Sequence, residues 1–355
     1  MQTNVYRAVT AASLLRLALT ITAHHCTIPA PMIGNAFVTV LCLAITLLAA
    51  WAGHRAWRSA NAFAKWLGAP LCVLATAIAL AVTAFSSRGL MLLYAPHGRP
   101  VHAITATATP DRLARGEHIA GAWCATCHSA TKTLPLTGGT NLAIQAGMPL
   151  GDLTPFNLTP AGPLKDWSDG EIFRAVRDGA DRTGHRLAVM SSQHVRFLSD
   201  EDIISVIAFL RSQPAVGQST PPERFTFLTT ILAGAGMLPF LPGYGPDTFT
   251  APARGPSVEY GRYVVNWVGC AECHGPALTG GGGGVVPKGP NLRVVKGWTS
   301  DQFLTTIRTG KTPYGKQLDS TLMPWKTVQK LDDDELRAVH AYLTSLPDQA
   351  QPTKK

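Results

Sequence analysis

The chain has 355 residues, which is enough for two or three domains. Its 31 basic and 22 acidic residues give a net charge of +9, and most of this excess lies in residues 1–95, which hold six basic residues and no acid. The remainder is nearly balanced, with 25 basic and 22 acidic residues. The charge is therefore no argument for nucleic-acid binding, and it fits a membrane segment whose orientation is set by basic loops.

Two apolar runs near the N-terminus predict membrane-spanning helices. Residues 36–53 and residues 69–85 contain no charged side chain, and each run is long enough to cross a bilayer. The loop between them holds two arginines and one lysine, so the positive-inside rule assigns it to the cytoplasm. The chain after Tyr94 is then expected in the periplasm, outside a bacterial inner membrane.

A third apolar run, residues 8–28, has Arg16 near its middle. Because an arginine is costly at the centre of a bilayer, this run is expected to be either a third span or a cleaved signal peptide. The predicted membrane anchor is thus residues 1–95, with two or three spans. Residues 96–110, rich in Pro, Thr and Ala, follow as a linker that tethers the rest of the chain.

The rest of the chain contains an internal repeat. Each copy has a C-x-x-C-H motif, a tryptophan-containing block, a methionine and a final apolar helix pattern that acidic residues open. From Met190 to Phe209 there are 19 residues, and from Met323 to Tyr342 there are again 19. The pattern predicts a mainly α fold with a first unit, residues 111–216, and a second unit, residues 257–348.

Between the units, residues 217–256 form a connector rich in Pro and Gly, and residues 349–355 form a C-terminal tail. The connector contains the apolar stretch FTFLTTILAGAGMLPFLPGYG. Its glycines and prolines argue against a transmembrane span. We expect this stretch to pack over the junction between the two units.

The sequence CATCH in the first unit recurs as CAECH in the second. Two cysteines at this spacing can form thioethers to the two vinyl groups of a haem, and the histidine that follows then lies beneath the iron. A zinc ribbon would bring its two C-x-x-C pairs within about 15–20 residues, whereas here more than 140 residues separate them. We therefore predict two covalently bound haem c groups, at Cys124, Cys127 and His128 and at Cys270, Cys273 and His274.

Each copy resembles a class I cytochrome c domain, in which an N-terminal helix, the C-x-x-C-H motif, a distal methionine and a crossing C-terminal helix follow in order. Residues 111–348 together resemble the dihaem cytochromes c of bacterial respiratory chains. They are also similar to the multihaem cytochrome subunits of membrane-bound alcohol and gluconate dehydrogenases. The resemblance implies that an aromatic of the C-terminal helix packs on a glycine of the first helix, here Phe209 on Gly116 and Tyr342 on Gly261.

The resemblance also implies the axial ligands of the two irons. His128 and His274 are the expected proximal ligands, with Met190 and Met323 on the distal side. Met323 precedes a proline, as in the family, but Met190 precedes a serine. For the first haem, Met148, which does precede a proline, and the neighbouring His185 and His194 therefore stay open as alternatives.

A further implied contact orients the proximal histidines, because a backbone carbonyl accepts the hydrogen bond of the ring N–H. In the second unit this carbonyl is expected from Pro290, within the sequence GPNL. In the first unit the matching sequence is GTNL, and Thr140 is expected to supply the carbonyl.

An iron held by both His and Met has no open position, so such a haem exchanges electrons without binding a substrate. We expect an electron-transfer protein, not an enzyme, at the periplasmic face of the membrane. Its donor would be a dehydrogenase subunit or a quinol-oxidising complex, and its acceptor a small cytochrome or a terminal oxidase. The alternative is a dihaem enzyme, peroxidase-like or thiosulfate-oxidising, which needs an open or displaceable position at one iron.

Overall fold

The computed structural model describes residues 30–238, 243–281 and 287–347, in which nearly all regular structure is helical, as predicted. The helices are α1 (Ala30–Trp57), α2 (Ala69–Tyr94, preceded by a π-helical turn at Ala64–Gly68), α3 (Pro110–Ile119), α4 (Ala125–His128), α5 (Leu142–Gln145), α6 (Asp169–Asp178), α7 (Asp200–Ser212), α8 (Phe227–Gly234), α9 (Val258–Val268), α10 (Cys270–His274), α11 (Ser300–Thr309), α12 (Trp325–Val328) and α13 (Asp333–Ser345). Short 3-10 helices lie at Pro163–Asp166, Met190–Ser192, His194–Phe197 and Leu292–Gly297. Two short antiparallel strands, β1 (Gly151–Asp152) and β2 (Arg224–Phe225), pair with each other. The third predicted span, residues 8–28, and the tail lie outside the described residues.

Helices α1 and α2 pack against each other and leave most of their large apolar side chains exposed. Phe37, for example, is 70% exposed. By length and composition, both helices are able to cross a membrane. They contain the two segments that the sequence analysis selected.

In each unit the C-x-x-C-H motif lies at the end of the first helix. In the first unit, α3 continues through a π-helical turn at Ala120–Cys124 directly into α4, which ends at His128. In the second unit, α9 ends at Gly269, whose φ of 79° is left-handed, and α10 begins at the next residue. Glycine adopts the left-handed backbone conformation at little energetic cost, so the chain can change direction at Gly269.

The first and last helices of each unit cross at a glycine, which confirms the predicted glycine–aromatic pairs. A Cβ on Gly116 would collide with the carbonyl oxygen of Ser205 and lie 2.7 Å from Cβ of Phe209. A Cβ on Gly261 would collide with the carbonyl oxygen of Ala338 and lie 2.9 Å from Cβ of Tyr342. The two helix backbones therefore touch, and only glycine permits this approach.

The two units share a buried ionic network. Arg115 in α3 donates to Asp202 of its own unit at 2.8 Å and to Glu335 of the second unit at 2.7 Å. Glu335 is fully buried and also lies 2.7 Å from Nε2 of His118, while Tyr263 of the second unit donates to Asp202. Burial alone would raise the pKa of Glu335, but hydrogen bonds and charges from His118 and Arg115 outweigh it and hold the pKa at about 2.

This network repeats the internal symmetry of the sequence. Asp202 and Glu335 each lie seven residues before the aromatic of their unit, and His118 and Tyr263 each lie two residues after the crossing glycine. Each carboxylate is therefore bound by the equivalent position of the other unit's first helix. The junction is a pseudo-twofold contact between two copies of one structure.

The expectation that the apolar stretch of the connector covers the junction is wrong for its helical part. Helix α8 packs along α2, because its small residues fit against the α2 backbone at Phe85 and Gly89. The later part of the connector does lie at the junction, where the carbonyl of Phe249 accepts from the backbone N–H of Asp200 and the ring of Phe249 lies 5.7 Å from that of Tyr263.

The predicted linker also differs from a free tether, because residues 97–106 dock on the first unit. The Arg99 side chain donates to the buried carboxylate of Asp178 at 3.2 Å. The backbone N–H of Ala106 donates to Asp169 at 2.9 Å. The composition of this segment, rich in Pro and Thr, does not indicate that its residues bind to buried groups of the first unit.

We predict that Gly116→Ala destabilises the first unit by roughly 1–3 kcal/mol through overpacking at the helix crossing. The matched control is Gly121→Ala, five residues later, where a Cβ would meet only Leu134 at an ordinary 3.6 Å. This control should be neutral or stabilising, because alanine favours helical backbone over glycine. Denaturant unfolding measures both variants, and equal tolerance would contradict the crossing.

We further predict that Glu335→Gln lowers the free energy of unfolding at neutral pH by roughly 2–3 kcal/mol, because it removes one of the two carboxylates that bind the buried Arg115. A folded-state pKa of about 2 means that Glu335 stabilises the fold above its ordinary pKa of 4.5. The difference between wild type and variant should shrink as the pH falls from 4.5 to about 2. Asp301→Asn is the control, since this carboxylate pairs with Arg337 but is 82% exposed; a similar loss from both variants would contradict the prediction.

Candidate haem-binding sites

The first C-x-x-C-H motif borders an apolar cavity in the first unit. Cys124, Cys127 and His128 line it, and Met190 lines the same cavity. Further lining comes from Leu153, Phe156, Leu158, Leu164, Trp167, Ile172, Val176, Leu187, Val195, Val206 and Leu210. The cavity therefore combines two thiols, an imidazole and a thioether within apolar walls.

The three alternative ligands for the first haem lie elsewhere. Met148, His185 and His194 are not among the described residues that line the cavity. The Met148 side chain is 39% exposed, His185 is hydrogen-bonded to Thr183, and His194 pairs with Glu272. Among the described methionines, only Met190 lines the cavity together with His128.

The ring of His128 is held by a backbone carbonyl that the sequence analysis did not identify. Its Nδ1 lies 2.8 Å from the carbonyl oxygen of Phe156, not from Thr140, so that expectation was wrong. The reason is an insertion after Thr140, which contains α5 and β1 and delays the return of the chain to the histidine. The signal was present in the sequence, because Asn157-Leu158 repeats the Asn-Leu pair of GPNL.

The chemistry of the motif residues suits covalent haem attachment. Burial lowers the pKa of His128, and this effect outweighs the hydrogen bond to the Phe156 carbonyl, which would raise the pKa. The lowered pKa favours a neutral ring whose Nε2 is free to bind a metal. Burial raises the pKa of Cys124 to about 12, because its apolar surroundings disfavour the charged thiolate. A thiol pair beside a neutral imidazole in an apolar cavity is the set of groups that haem c requires.

The second motif has the same arrangement. His274 is buried, and its Nδ1 lies 2.8 Å from the carbonyl oxygen of Pro290, which confirms the predicted contact. A Cβ on Gly289 would lie 2.6 Å from that same nitrogen, so a glycine must precede the proline here. Burial raises the pKa of Cys270 to about 12. Met323 packs against the apolar core of this unit.

The helices that carry the two motifs contact each other at the junction between the units. The ring of Trp123, next to Cys124, meets the buried ring of Trp267 edge to face at 5.8 Å. His194, four residues after Met190, lies 2.9 Å from Glu272, which is inside the CAECH motif. Sequence reasoning missed these contacts, because nothing in a repeat indicates which faces its copies bury against each other.

Comparisons with known proteins agree with this geometry. Residues 258–347 match the family described as cytochrome c, and residues 111–210 match the family described as cytochrome c oxidase, cbb3-type, subunit III. The matches identify cytochrome c domains in this chain, and such domains imply covalently bound haem c and electron transport.

The relatives are more specific about the kind of cytochrome. The chain is 26% identical over 268 residues to the cytochrome c subunit of alcohol dehydrogenase (quinone) from Gluconobacter oxydans, covering 66% of this chain and 55% of that protein. It is 27% identical over 268 residues to the gluconate 2-dehydrogenase cytochrome c subunit of Pantoea cypripedii, covering 65% and 59%. It is 28% identical over 311 residues to a subunit of nicotinate dehydrogenase from Pseudomonas putida, covering 81% and 25%. The chain is thus similar to cytochrome c subunits of dehydrogenase complexes, and it spans between a quarter and three fifths of the length of these relatives.

Proposed function

We propose that the chain is a dihaem c-type cytochrome that relays electrons at the periplasmic face of the membrane. The donor would be a dehydrogenase or a quinol-oxidising complex, and the acceptor a respiratory protein such as a small cytochrome or a terminal oxidase. The observation that carries the proposal is the apolar cavity that Cys124, Cys127, His128 and Met190 line together. The second C-x-x-C-H motif, whose histidine has the same carbonyl contact, supports a second haem.

Each unit would hold its haem with the same four groups. The thioether-forming cysteines are Cys124 and Cys127 in the first unit and Cys270 and Cys273 in the second. The axial ligands would be His128 with Met190, and His274 with Met323. A bound haem supplies an iron that gains and loses one electron.

The rest of the chemistry belongs to the protein. The carbonyls of Phe156 and Pro290 accept the Nδ1–H of the two histidines and fix the ring orientation, so that Nε2 points away from the backbone. The largely apolar lining lowers the polarity around the first site, and a thioether from Met190 would favour the reduced iron. With His128 and Met190 both bound to the iron, the first site would have no place for a substrate, and this favours electron transfer over the dihaem-enzyme alternative.

The contact between the motifs supports a relay instead of two independent sites. Trp123 and Trp267 bring the two attachment helices to within ring contact. The buried network around Arg115 and Glu335 fixes the relative orientation of the units. An electron received by one haem would therefore have a short route to the other within the same chain.

The proposed location rests on α1 and α2 as spans with the basic loop in the cytoplasm. The dehydrogenase partner rests on the relatives, whose printed names describe cytochrome subunits of alcohol, gluconate and fructose dehydrogenases. An anchored cytochrome remains near a membrane-bound partner, which raises the effective concentration of each for the other.

Replacing the distal methionine tests the first site. Met190→Ala should leave both haems attached but lower the reduction potential of one of them and remove its Met-to-iron absorption band. Met148→Ala is the control and should leave potentials and spectra unchanged, because this side chain lies outside the cavity. A redox titration followed by absorption measures the potentials and spectra of both variants. A changed potential in Met148→Ala with an unchanged potential in Met190→Ala would make Met148 the ligand.

Haem stoichiometry tests the number of sites. The double variant Cys270→Ala and Cys273→Ala should bind half as much covalent haem per chain as the wild type, since only the first motif retains its thiols. Cys42→Ala is the matched control, because this cysteine lies in α1 and should not affect haem content. Haem staining of the denatured protein detects the covalently bound haem, and absorption of the pyridine complex gives the number of haems per chain. A single haem per chain in the wild type would contradict the proposal.

A further inference from the structure

Helix α8 has an inverted distribution of side-chain size. The residues that pack on the α2 backbone, Thr230 and Gly234, are small and buried. Among the large apolar residues of α8, Leu228 is 41% exposed and Ile231 is half-buried, while Leu232, also half-buried, packs against an apolar cluster of the protein. Just beyond the helix, Met237 is 65% exposed.

This distribution is opposite to that of a helix on a soluble protein, which turns its large apolar residues inward. In a bilayer, small residues form the contact between helices, because close backbone packing replaces the hydrophobic effect, and the large apolar residues face lipid. The packing of α8 on α2 has this character. A Cβ on Gly89 would collide with the carbonyl of Thr230, and a Cβ on Gly234 would collide with the carbonyl of Phe85.

The polar groups of this contact are satisfied within the protein, as a low-polarity surrounding requires. The Arg88 guanidinium donates to the carbonyl of Gly234 at the end of α8. The hydroxyls of Thr229 and Thr230 donate to the carbonyls of Leu150 and Phe227. The outward face of α8 is left with apolar side chains only.

The position of α8 along α2 indicates its depth. At a rise of about 1.5 Å per residue, about 20 residues of helix cover the ~30 Å hydrocarbon layer. Counted from Ala69, next to the basic loop, this length ends near Gly89, where α8 packs. The outward face of α8 continues the exposed apolar surface of α2, in which Phe85 is 42% and Met91 is 70% exposed.

We propose that α8 and Met237 insert into the outer leaflet of the bilayer, at the boundary between acyl chains and headgroups. The occupant of this face is lipid, because the face is continuous with the lipid-facing surface of the two spans. The connector is thereby a membrane-contacting element in addition to α1 and α2, and it fixes the first unit on the membrane surface. This inference rests on α1 and α2 crossing the membrane, as proposed above.

The insertion has a consequence for the haem sites. Strand β2 directly precedes α8, and Phe225 of β2 packs in one apolar cluster with Leu153, Val189 and Ala233. Leu153 and Val189 also line the cavity of the first unit. One layer of side chains therefore separates this cavity from the membrane-contacting helix, which makes the first haem the one nearer the membrane.

Site-specific photocrosslinking in native membranes tests the proposal with the full-length, haem-loaded chain. The photoreactive residue p-benzoylphenylalanine replaces Leu228 or Met237, both exposed apolar positions that tolerate an apolar probe. Phe37, which is 70% exposed on α1, is the bilayer control, and Tyr314, which is 78% exposed on the second unit, is the aqueous control. Mass spectrometry of the illuminated protein detects attached phospholipid.

We expect phospholipid adducts at positions 228, 237 and 37, and at least tenfold less at 314. Adducts at 37 without adducts at 228 and 237 would overturn the insertion of α8 while leaving the two spans intact. A protein adduct in place of lipid at 228 would also overturn it, by showing that a protein covers this face. Absence of lipid adducts at position 37 would show that α1 does not face lipid. This result would contradict the two membrane spans and therefore also the proposal, which rests on them.

Discussion

The close crossing of the first and last helices is the constraint on which the rest of each unit depends. At Gly116 and Gly261 the helix backbones touch, which fixes the angle and height at which the first helix passes the last. Because the C-x-x-C-H motif continues the first helix, its thiols and imidazole are positioned by the same contact. A larger side chain at either glycine would therefore move the candidate haem site as well as loosen the core.

The junction between the units uses other residues of the same helices. Arg115, next to the crossing glycine, reaches Glu335 in the other unit. A buried ion pair contributes little net stability, since removing charges from water offsets their attraction, but an alternative docking would leave those charges unpaired. The network therefore selects one relative orientation of the units, and this orientation brings Trp123 against Trp267.

The sequence predicted the structure best at positions where a single physical requirement determines the residue type. The spacing of cysteine and histidine was informative because the covalent geometry of haem attachment demands it. The crossing glycines and the carbonyl of Pro290 were expected from the resemblance to class I cytochrome c domains, and the structure shows both contacts. Phe156 was missed because an insertion moved the carbonyl along the chain. The docking of α8 was missed because small inward and large outward residues form an apolar run without the amphipathic pattern of a soluble helix. Met190 lines the cavity but stays a predicted ligand.

The attachment of the first unit to the anchor changes how the protein would meet its partners. Arg99 and Ala106 dock the linker on the first unit, and the side-chain amide of Asn35 in α1 donates to the backbone carbonyl of Phe225 in β2 at 3.0 Å. The first unit is thus held by the anchor at both its beginning and its end. A cytochrome on a flexible tether would reach many partners by diffusion, whereas a unit held in this way would present one face to the membrane if α1 and α2 cross it as proposed. The second unit, which contacts the first through the buried network, would then be the part further from the membrane.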